Sequence, residues 1–345
     1  MKQHEVKQSI PLLAVDGTLT EPGWARQPYW HYERKQIKAP WYRRKEWDYY
    51  YVICDKTNVA VAITISDLGY AGLSAICWID LNSGKTYQVD GLKPLTRAKI
   101  GLAEDTGDAE VDLQLPNLTI HYQVSGQERR LKFASSKLQV EGEVGIEGEL
   151  TFTQTPGSDS MNIATSWQEK PTAFYYNHKI NNLEVAGIVR VGTREVVFQR
   201  GSCWGGLDWG RGHWTYENRW YWSSANATLD GKPFGFNLGY GFTDRSVASE
   251  NMFFYDGRAH KLEDVLFHFD TGDYMKPWQI TSSNGRFEAT FQPIVDRASQ
   301  TDLLIIKSEQ HQVFGYFTGK AILDDGSVLD FEKVKGFAED VYNKF

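Results

Sequence analysis

Leu138-Gln-Val140-Glu-Gly142-Glu-Val144-Gly-Ile146-Glu-Gly148-Glu-Leu150-Thr-Phe152-Thr153 alternates almost without a break. Leu138, Val140, Val144, Ile146, Leu150 and Phe152 fall on one face, and Gly142 and Gly148 fill two gaps in it. Gln139, the glutamates and the threonines take the other face. A period of two means one buried face and one wet face. Read as a single strand, the stretch is about 15 residues, long for one strand. A long antiparallel strand with glycines at its bends is how a sheet curls into a barrel.

The rest of the chain reads the same way. Val59–Ile65, Leu118–Val124 and Val185–Val191 have strand patterns, and Ala75–Leu81 and Thr86–Val89 form a hairpin across Asn82-Ser83-Gly84-Lys85. Asn251–Tyr255, Asp256-Gly257 and Leu262–Phe269 predict another hairpin. Arg286–Phe291, Leu303–Ile306, Val313–Phe317 and Ala321–Phe331 continue the series, with a turn at Asp324-Asp325-Gly326-Ser327. Gly157–Asn162 and the polar run Asn177–Asn182 read as loops. The one helix signal is Phe337–Tyr342. Many short strands with almost no helix predict an all-β fold of sandwich or barrel type. A boundary near 170–200 divides the chain into units at 1–185 and 186–345.

Composition narrows the function classes. The chain has 345 residues, 14% aromatic and 23% charged, with a net charge of -7. That balance argues against a nucleic-acid groove, which needs a basic surface. Arg43-Arg44-Lys45, followed by Glu46 and Asp48, reads as a solvated or salt-bridged strand end. No apolar run reaches the roughly 18 residues of a membrane span, and Met1–Val15 is too weakly apolar for a signal peptide. Cys54, Cys77 and Cys203 are odd in number and widely spaced, which predicts buried thiols in a reducing compartment, hence a cytoplasmic protein. No Walker loop, dinucleotide fingerprint, GxSxG elbow or zinc-type His/Cys spacing is present, so neither an organic cofactor nor a metal is expected.

The candidate site is the stretch Trp204–Trp222. It holds five of the twelve tryptophans, with Asp208, Arg211, His213, Glu217, Arg219 and four glycines among them. Aromatic walls with a few polar groups are what small-molecule pockets are made of. Asp208, between Leu207 and Trp209, reads either as an acid with a raised pKa or as the partner of Arg211 in a structural turn. His213 reads as a general base or as a hydrogen-bonded rim residue. Asp244 or Glu250 can pair with Asp208 for acid–base work. His268, alternating with Leu266, is expected to point inward. Trp204, Trp209, Arg211, Trp214 and Tyr240 are the expected substrate contacts, joined by Trp24, Arg26 and Trp47. Around Trp47, alternation puts Trp47, Tyr49 and Tyr51 on one face and Asp48 and Tyr50 on the other. This second constellation is either core with a buried Arg26–Asp48 pair or a wall between two barrels that faces Asp208.

Gly23-Trp24-Ala-Arg26-Gln-Pro28, Trp47-Asp48-Tyr49-Tyr50, Leu207-Asp208-Trp209-Gly210-Arg211-Gly212, Gly239-Tyr240-Gly241-Phe242, Gln312-Val313-Phe314-Gly315 and Gly336-Phe337-Ala338-Glu339 together resemble the bacterial domain of unknown function 2804 family over residues 10–345. More remotely, the chain is similar to the carotenoid 1,2-hydratase and AttH-like proteins. That resemblance implies two lipocalin-like β-barrels in tandem. The hydratase pattern His-x-Trp-Gly becomes Leu207-Asp208-Trp209-Gly210, which keeps the Trp and Gly and lacks the His. Its Tyr-x-Asp becomes Phe242-Thr243-Asp244, which keeps only the Asp.

Three functions fit these residues. The first is a cofactor-independent hydratase, lyase, isomerase or cyclase acting on a hydrophobic or ring-bearing small molecule. The second is a non-catalytic lipid or isoprenoid binder, and the third a carbohydrate-binding or carbohydrate-cleaving protein. In each the partner is a small molecule.

Overall fold

A computed structural model describes residues 3–303 and 306–344. Among these the regular structure is β-strand with two short 3₁₀ turns, Arg34–Gln36 and Trp41–Arg43. The strands form two curled half-barrel sheets in tandem, besides a two-stranded parallel pair near the N-terminus. At the centre of the first sheet Arg44–Cys54, Cys203–His213 and Lys170–Val191 lie side by side. At the centre of the second, Lys232–Tyr240, Glu217–Leu229, Val328–Lys344 and Ile306–Ile322 do the same.

Each central strand is buried on both faces over part of its length. One face fills its own barrel. Tyr50, Val52, Leu207, Trp209 and Ile180 lie in the first core. Ala225, Phe236, Val313 and Ala338 lie in the second. The other face meets the opposite sheet. Tyr49, Tyr51, Ile53, Trp222, Phe314 and Phe337 form one shared cluster there. Trp24, Tyr175, Trp214, Met252 and Phe254 form another, flanked by Trp47, Trp220 and Phe242. Polar bonds cross this seam: Tyr51 Oη to Ser224 Oγ at 2.6 Å, Asn181 Nδ2 to Asn226 Oδ1 at 3.0 Å and Tyr49 Oη to Gln312 Oε1 at 3.2 Å. The expected split of residues 47–51 between two faces is therefore present.

Several expectations are corrected. Leu138–Thr153 is not one strand. It is the end of Glu128–Val140, a turn at Glu141-Gly142, and Glu143–Thr153. Both turn residues have left-handed φ, 51° and 94°, the geometry that closes a two-residue hairpin. Pairing slips between Ser135 and Gln139, so Val144 points outward and is 59% exposed, while Leu138, Val140, Ile146, Leu150 and Phe152 are buried. Phe337–Tyr342 is not helical but part of the Val328–Lys344 strand, with Phe337 and Ala338 feeding opposite cores. The polar run Asn177–Asn182 is no loop, since it lies inside Lys170–Val191. The chain changes sheet between His213 and Glu217, so 185/186 falls within a strand of the first sheet. After Asp256-Gly257, Met252–Tyr255 pairs with Arg258–Lys261 rather than with the segment beginning at Leu262. Of the expected Leu303–Ile306 strand, Leu304 and Ile305 lie outside the described residues.

The cysteine reading also changes. Cys54 and Cys203 stand opposite each other on adjacent strands and are disulfide-bonded, which leaves only Cys77 as a buried thiol. The inference of a reducing compartment rested on three unpaired thiols and loses two of them. Lys45 is 1% exposed, with Nζ 4.6 Å from the Tyr70 ring, so the basic cluster is not a solvated strand end. No described helix is long and apolar enough to cross a membrane.

Candidate functional site

Alternation along Cys203–His213 divides the tryptophan-rich stretch between two places. Leu207, Trp209, Arg211 and His213 face the first barrel's side of the strand, whereas Trp204, Asp208 and the glycines at 206, 210 and 212 face the seam. The glycines let the seam close, because a Cβ on Gly210 would lie 1.9 Å from Trp47 Cζ2 and one on Gly206 2.6 Å from the Tyr51 ring.

Asp208 is the centre of a buried polar cluster. Its direct cross-strand partner is Lys179, whose Nζ lies 2.9 Å from Asp208 Oδ2. Asn177 Nδ2 donates to Asp208 Oδ1 at 2.6 Å, so both carboxylate oxygens are engaged. Lys179 Nζ is also 3.9 Å from Glu250 Oε2 and 4.0 Å from the centre of the Trp222 ring. Asn237 Nδ2 donates to the Glu250 main-chain carbonyl at 3.0 Å, Tyr175 and Asn237 favour the charged form of the Glu250 carboxyl, and Trp222 Nε1 donates to Asn237 Oδ1 at 2.7 Å. On the second sheet, Glu339 accepts from Trp220 Nε1 at 2.9 Å and from Gln312 Nε2 at 3.0 Å.

Asp208 and Glu250 thus lie within 4 Å of the Lys179 ammonium, and Glu339 feels its charge from the facing sheet. Burial disfavours the ionised form of these carboxyls, and Arg297 near Glu339 and Lys261 near Glu250 offset part of their charge. Burial pushes Glu339 up to about 7 against the donors Trp220 and Gln312 and the charge of Lys179, with Asp208 adding to the rise. Burial also raises Glu250, opposed by Lys179 and reinforced by Asp208.

An aromatic box adjoins the cluster. Phe242, from the loop after Tyr240, stands with its ring centre 5.0 Å from Tyr175, 4.8 Å from Trp214, 5.7 Å from Trp220 and 5.1 Å from Trp167, all edge-on. Trp47 lies 5.1 Å from Trp214 and stacks on Tyr175. Trp24 belongs to the same cluster, between Arg26 and the buried Lys261.

Several expected site residues lie elsewhere. Arg211 does not pair with Asp208. It sits on the opposite face, where it binds Asp48 Oδ1 at 2.9 Å and the Trp47, Gly210 and Ala103 carbonyls. Arg26 binds Glu5, Asp159 and the Ala259 carbonyl instead of Asp48. His213 is five residues from Asp208 on the other face, about 17 Å along the strand, and burial with nearby Lys170 lowers it to about 4. Asp244 is a turn residue. Despite burial, hydrogen bonds from Ser246 and Gln168 hold its carboxyl below the ordinary range, so it is an ionised cap and not a proton donor near neutral pH. Tyr240 stacks on Tyr221 in the second barrel. Trp204 is buried at the seam end of its strand, and Trp209 packs on Tyr32 and Tyr176 inside the first barrel. His268 faces outward against Thr281.

The sequence reading missed Lys179, Tyr175, Glu339, Gln312 and Phe242. Two signals pointed to them: a run of polar side chains at strand spacing, and a lone Glu following Gly336-Phe337-Ala338.

The family profile that matches this chain spans residues 3–345. The chain belongs to the Domain of unknown function (DUF2804) family. No curated protein matches it in sequence. Among solved structures, this DUF2804 chain is similar to CghA in complex with Sch210972, at a TM-score of 0.55 and 11% identity over 88% of this chain and 89% of that one. Kievitone hydratase from Nectria haematococca aligns at a TM-score of 0.54 and 11% identity, over 87% and 88% of the two chains. An AttH-type protein from Nitrosomonas europaea aligns at 0.52 and 15%, over 86% and 92%. At these identities the likeness establishes a shared fold.

Proposed function

We propose that the seam between the two half-barrels is the active site of a cofactor-independent enzyme. It would act on a hydrophobic, ring-bearing small molecule by acid–base chemistry, adding, removing or rearranging groups at a double bond. The observation that carries this reading is the set Asp208, Glu250 and Glu339 near Lys179, of which Asp208 and Glu339 are buried and Glu250 half-buried, beside an aromatic box. Acid–base catalysis works best with a group whose pKa lies near the working pH, and Glu339 at about 7 is such a group.

In this reading Glu339 delivers its proton to the substrate double bond or oxygen. The cationic character that develops faces the Trp220 and Trp222 rings, and desolvated aromatic faces stabilise a cation by on the order of 2 kcal/mol. Glu250, oriented by Tyr175 and Asn237, takes the proton released by attacking water or by elimination. A return transfer to Glu339 resets the site. Asp208 holds Lys179 between the two glutamates and is a positioning residue. Trp47, Trp214 and Phe242 wall the substrate. The fold shared with a protein named as a hydratase agrees with this assignment.

The test is mass spectrometry of an organic extract of the purified protein, followed by turnover of the extracted compound. A substrate–product mixture that Glu339→Gln no longer interconverts supports the proposal. A ligand released unaltered and never turned over would make the protein a binder and overturn it.

A further inference from the structure

A cavity of about 280 Å³ opens on the other side of the Cys203–His213 strand, at the mouth of the first barrel. Its walls include the rings of Trp30, Tyr32, Tyr176 and Trp209, all nearly fully buried. The rings stand edge to face in a chain. Trp30 is 5.9 Å from Tyr176, Tyr176 is 5.3 Å from Trp209, and Trp209 is 6.3 Å from Tyr32. Among the described residues Trp209 Nε1 has no hydrogen-bond partner.

The rim is acidic. Glu104 and Asp105 line the cavity, with no lysine or arginine among the described lining residues. Glu104 Oε1 accepts from the Arg34 main-chain N–H at 2.6 Å and lies 3.8 Å from Arg34 Nη1, while Asp105 Oδ1 accepts from the Gly107 N–H at 2.8 Å. Both carboxylates sit on the loop before Ala109–Gln114, and buried cations of the barrel hold that loop in place. Arg211 donates to the Ala103 carbonyl at 2.7 and 3.0 Å, Arg34 to the Leu102 carbonyl, and Arg129 to the Thr106 carbonyl at 3.4 Å. Thr106 Oγ1 is hydrogen-bonded to His178 Nδ1 at 2.9 Å. Burial and nearby Arg129 lower His178 to about 3, so it adds no positive charge. Arg211 lies 4.1 Å from the Trp209 ring, and Asp48 neutralises it. Asp105 lines the same cavity as Tyr176, and after burial its charge is what raises the Tyr176 hydroxyl. Aromatic faces under a carboxylate rim are the recognition chemistry of organic ammonium ions, and a preset loop avoids the cost of ordering on binding.

We infer that the mouth of the first barrel is a second binding site, separate from the seam, for a small organic cation bearing a tertiary or quaternary ammonium group. Trp30, Tyr176 and Trp209 supply the cage, and Asp105 supplies the charge.

The experiment compares choline with 3,3-dimethylbutan-1-ol, its uncharged isostere, by calorimetry and tryptophan fluorescence on the full chain. Two variants accompany the wild type: Asp105→Asn at the exposed rim and Phe242→Ala in the seam. We expect saturable choline binding at least tenfold tighter than that of the alcohol. Asp105→Asn should weaken it at least threefold, and Phe242→Ala should leave it unchanged. Equal affinity for the two compounds, no saturable choline binding, or binding lost in Phe242→Ala but kept in Asp105→Asn would each overturn the inference. None of these outcomes depends on whether the seam is catalytic.

Discussion

Lys179 and Asp208 are direct cross-strand partners in the first sheet, and their charged atoms lie 2.9 Å apart on the face turned toward the second sheet. The pair is almost wholly excluded from water, with side chains 5% and 10% exposed. Removing one member of a buried pair leaves an uncompensated charge and costs about 3–5 kcal/mol. Lys179→Met and Asp208→Asn should each destabilise the fold on that scale in urea unfolding. The double variant Lys179→Met/Asp208→Asn should lose clearly less than the sum of the two, because neither member of the pair is then left facing a missing partner. Strict additivity would show that the pair is not coupled.

Glu339 should make stability depend on pH. Its folded pKa, about 7, lies above the ordinary value of 4.5, so the folded state holds the proton more tightly than the unfolded chain. Below 4.5 both states are protonated and the contribution is fully present. Between 4.5 and 7 only the unfolded chain releases the proton, and stability falls as pH rises. Glu339→Gln should remove this slope, gaining roughly 2–4 kcal/mol relative to wild type between pH 5 and pH 8. Urea midpoints for both proteins at the two pH values check this. A difference that does not change with pH would contradict it.

Phe242 plugs the aromatic box from a loop and is itself only partly buried. Truncation to Ala should therefore cost less than the 3–5 kcal/mol of a fully buried ring, roughly 1–3 kcal/mol. It should also open the seam, and an apolar fluorescent probe should bind the variant more tightly than the wild type. Unchanged or weaker probe binding would mean that Phe242 does not cover the site.

Gly210 is required because Trp47 lies against its backbone. Gly210→Ala should destabilise the protein by roughly 1–3 kcal/mol through overpacking. The penalty should shrink on a Trp47→Leu background, where the clashing ring is gone. Thermal unfolding of the four proteins gives the coupling, and an equal penalty in both backgrounds would rule out the contact as its cause.

Much of the fold was legible from alternation. The face split at Trp47–Tyr51, the Asn82–Lys85 hairpin and the Asp324–Ser327 turn all stand, because period-two patterns and turn residues are local signals. The site was less legible for the same reason. Asn177–Asn182 carries polar residues on both faces, which by local rules is a loop. Their partners are all distant in sequence: Asp208 on the next strand for Asn177 and Lys179, Thr106 and Ser160 for His178, and the second sheet for Asn181 and Asn182. Asp208 was found by its setting among tryptophans, but its assumed partner Arg211 has odd-residue spacing and so points to the other face. Glu339 lies in a short apolar segment that reads as helix or strand alike, and only its pairing with Glu217–Leu229 and Ile306–Ile322 decides which. The cysteine pair was missed because the two residues are 149 positions apart in sequence.

The central claim is that the seam holds a carboxylic acid poised near neutral pH. It is tested most directly by following the side-chain carboxyl carbon of Glu339 through a pH titration by NMR, with Glu339→Gln to assign the signal. The account predicts a midpoint near 7. A midpoint at or below the ordinary glutamate value would show that Glu339 is ionised throughout the neutral range and is not the proton donor proposed for this site.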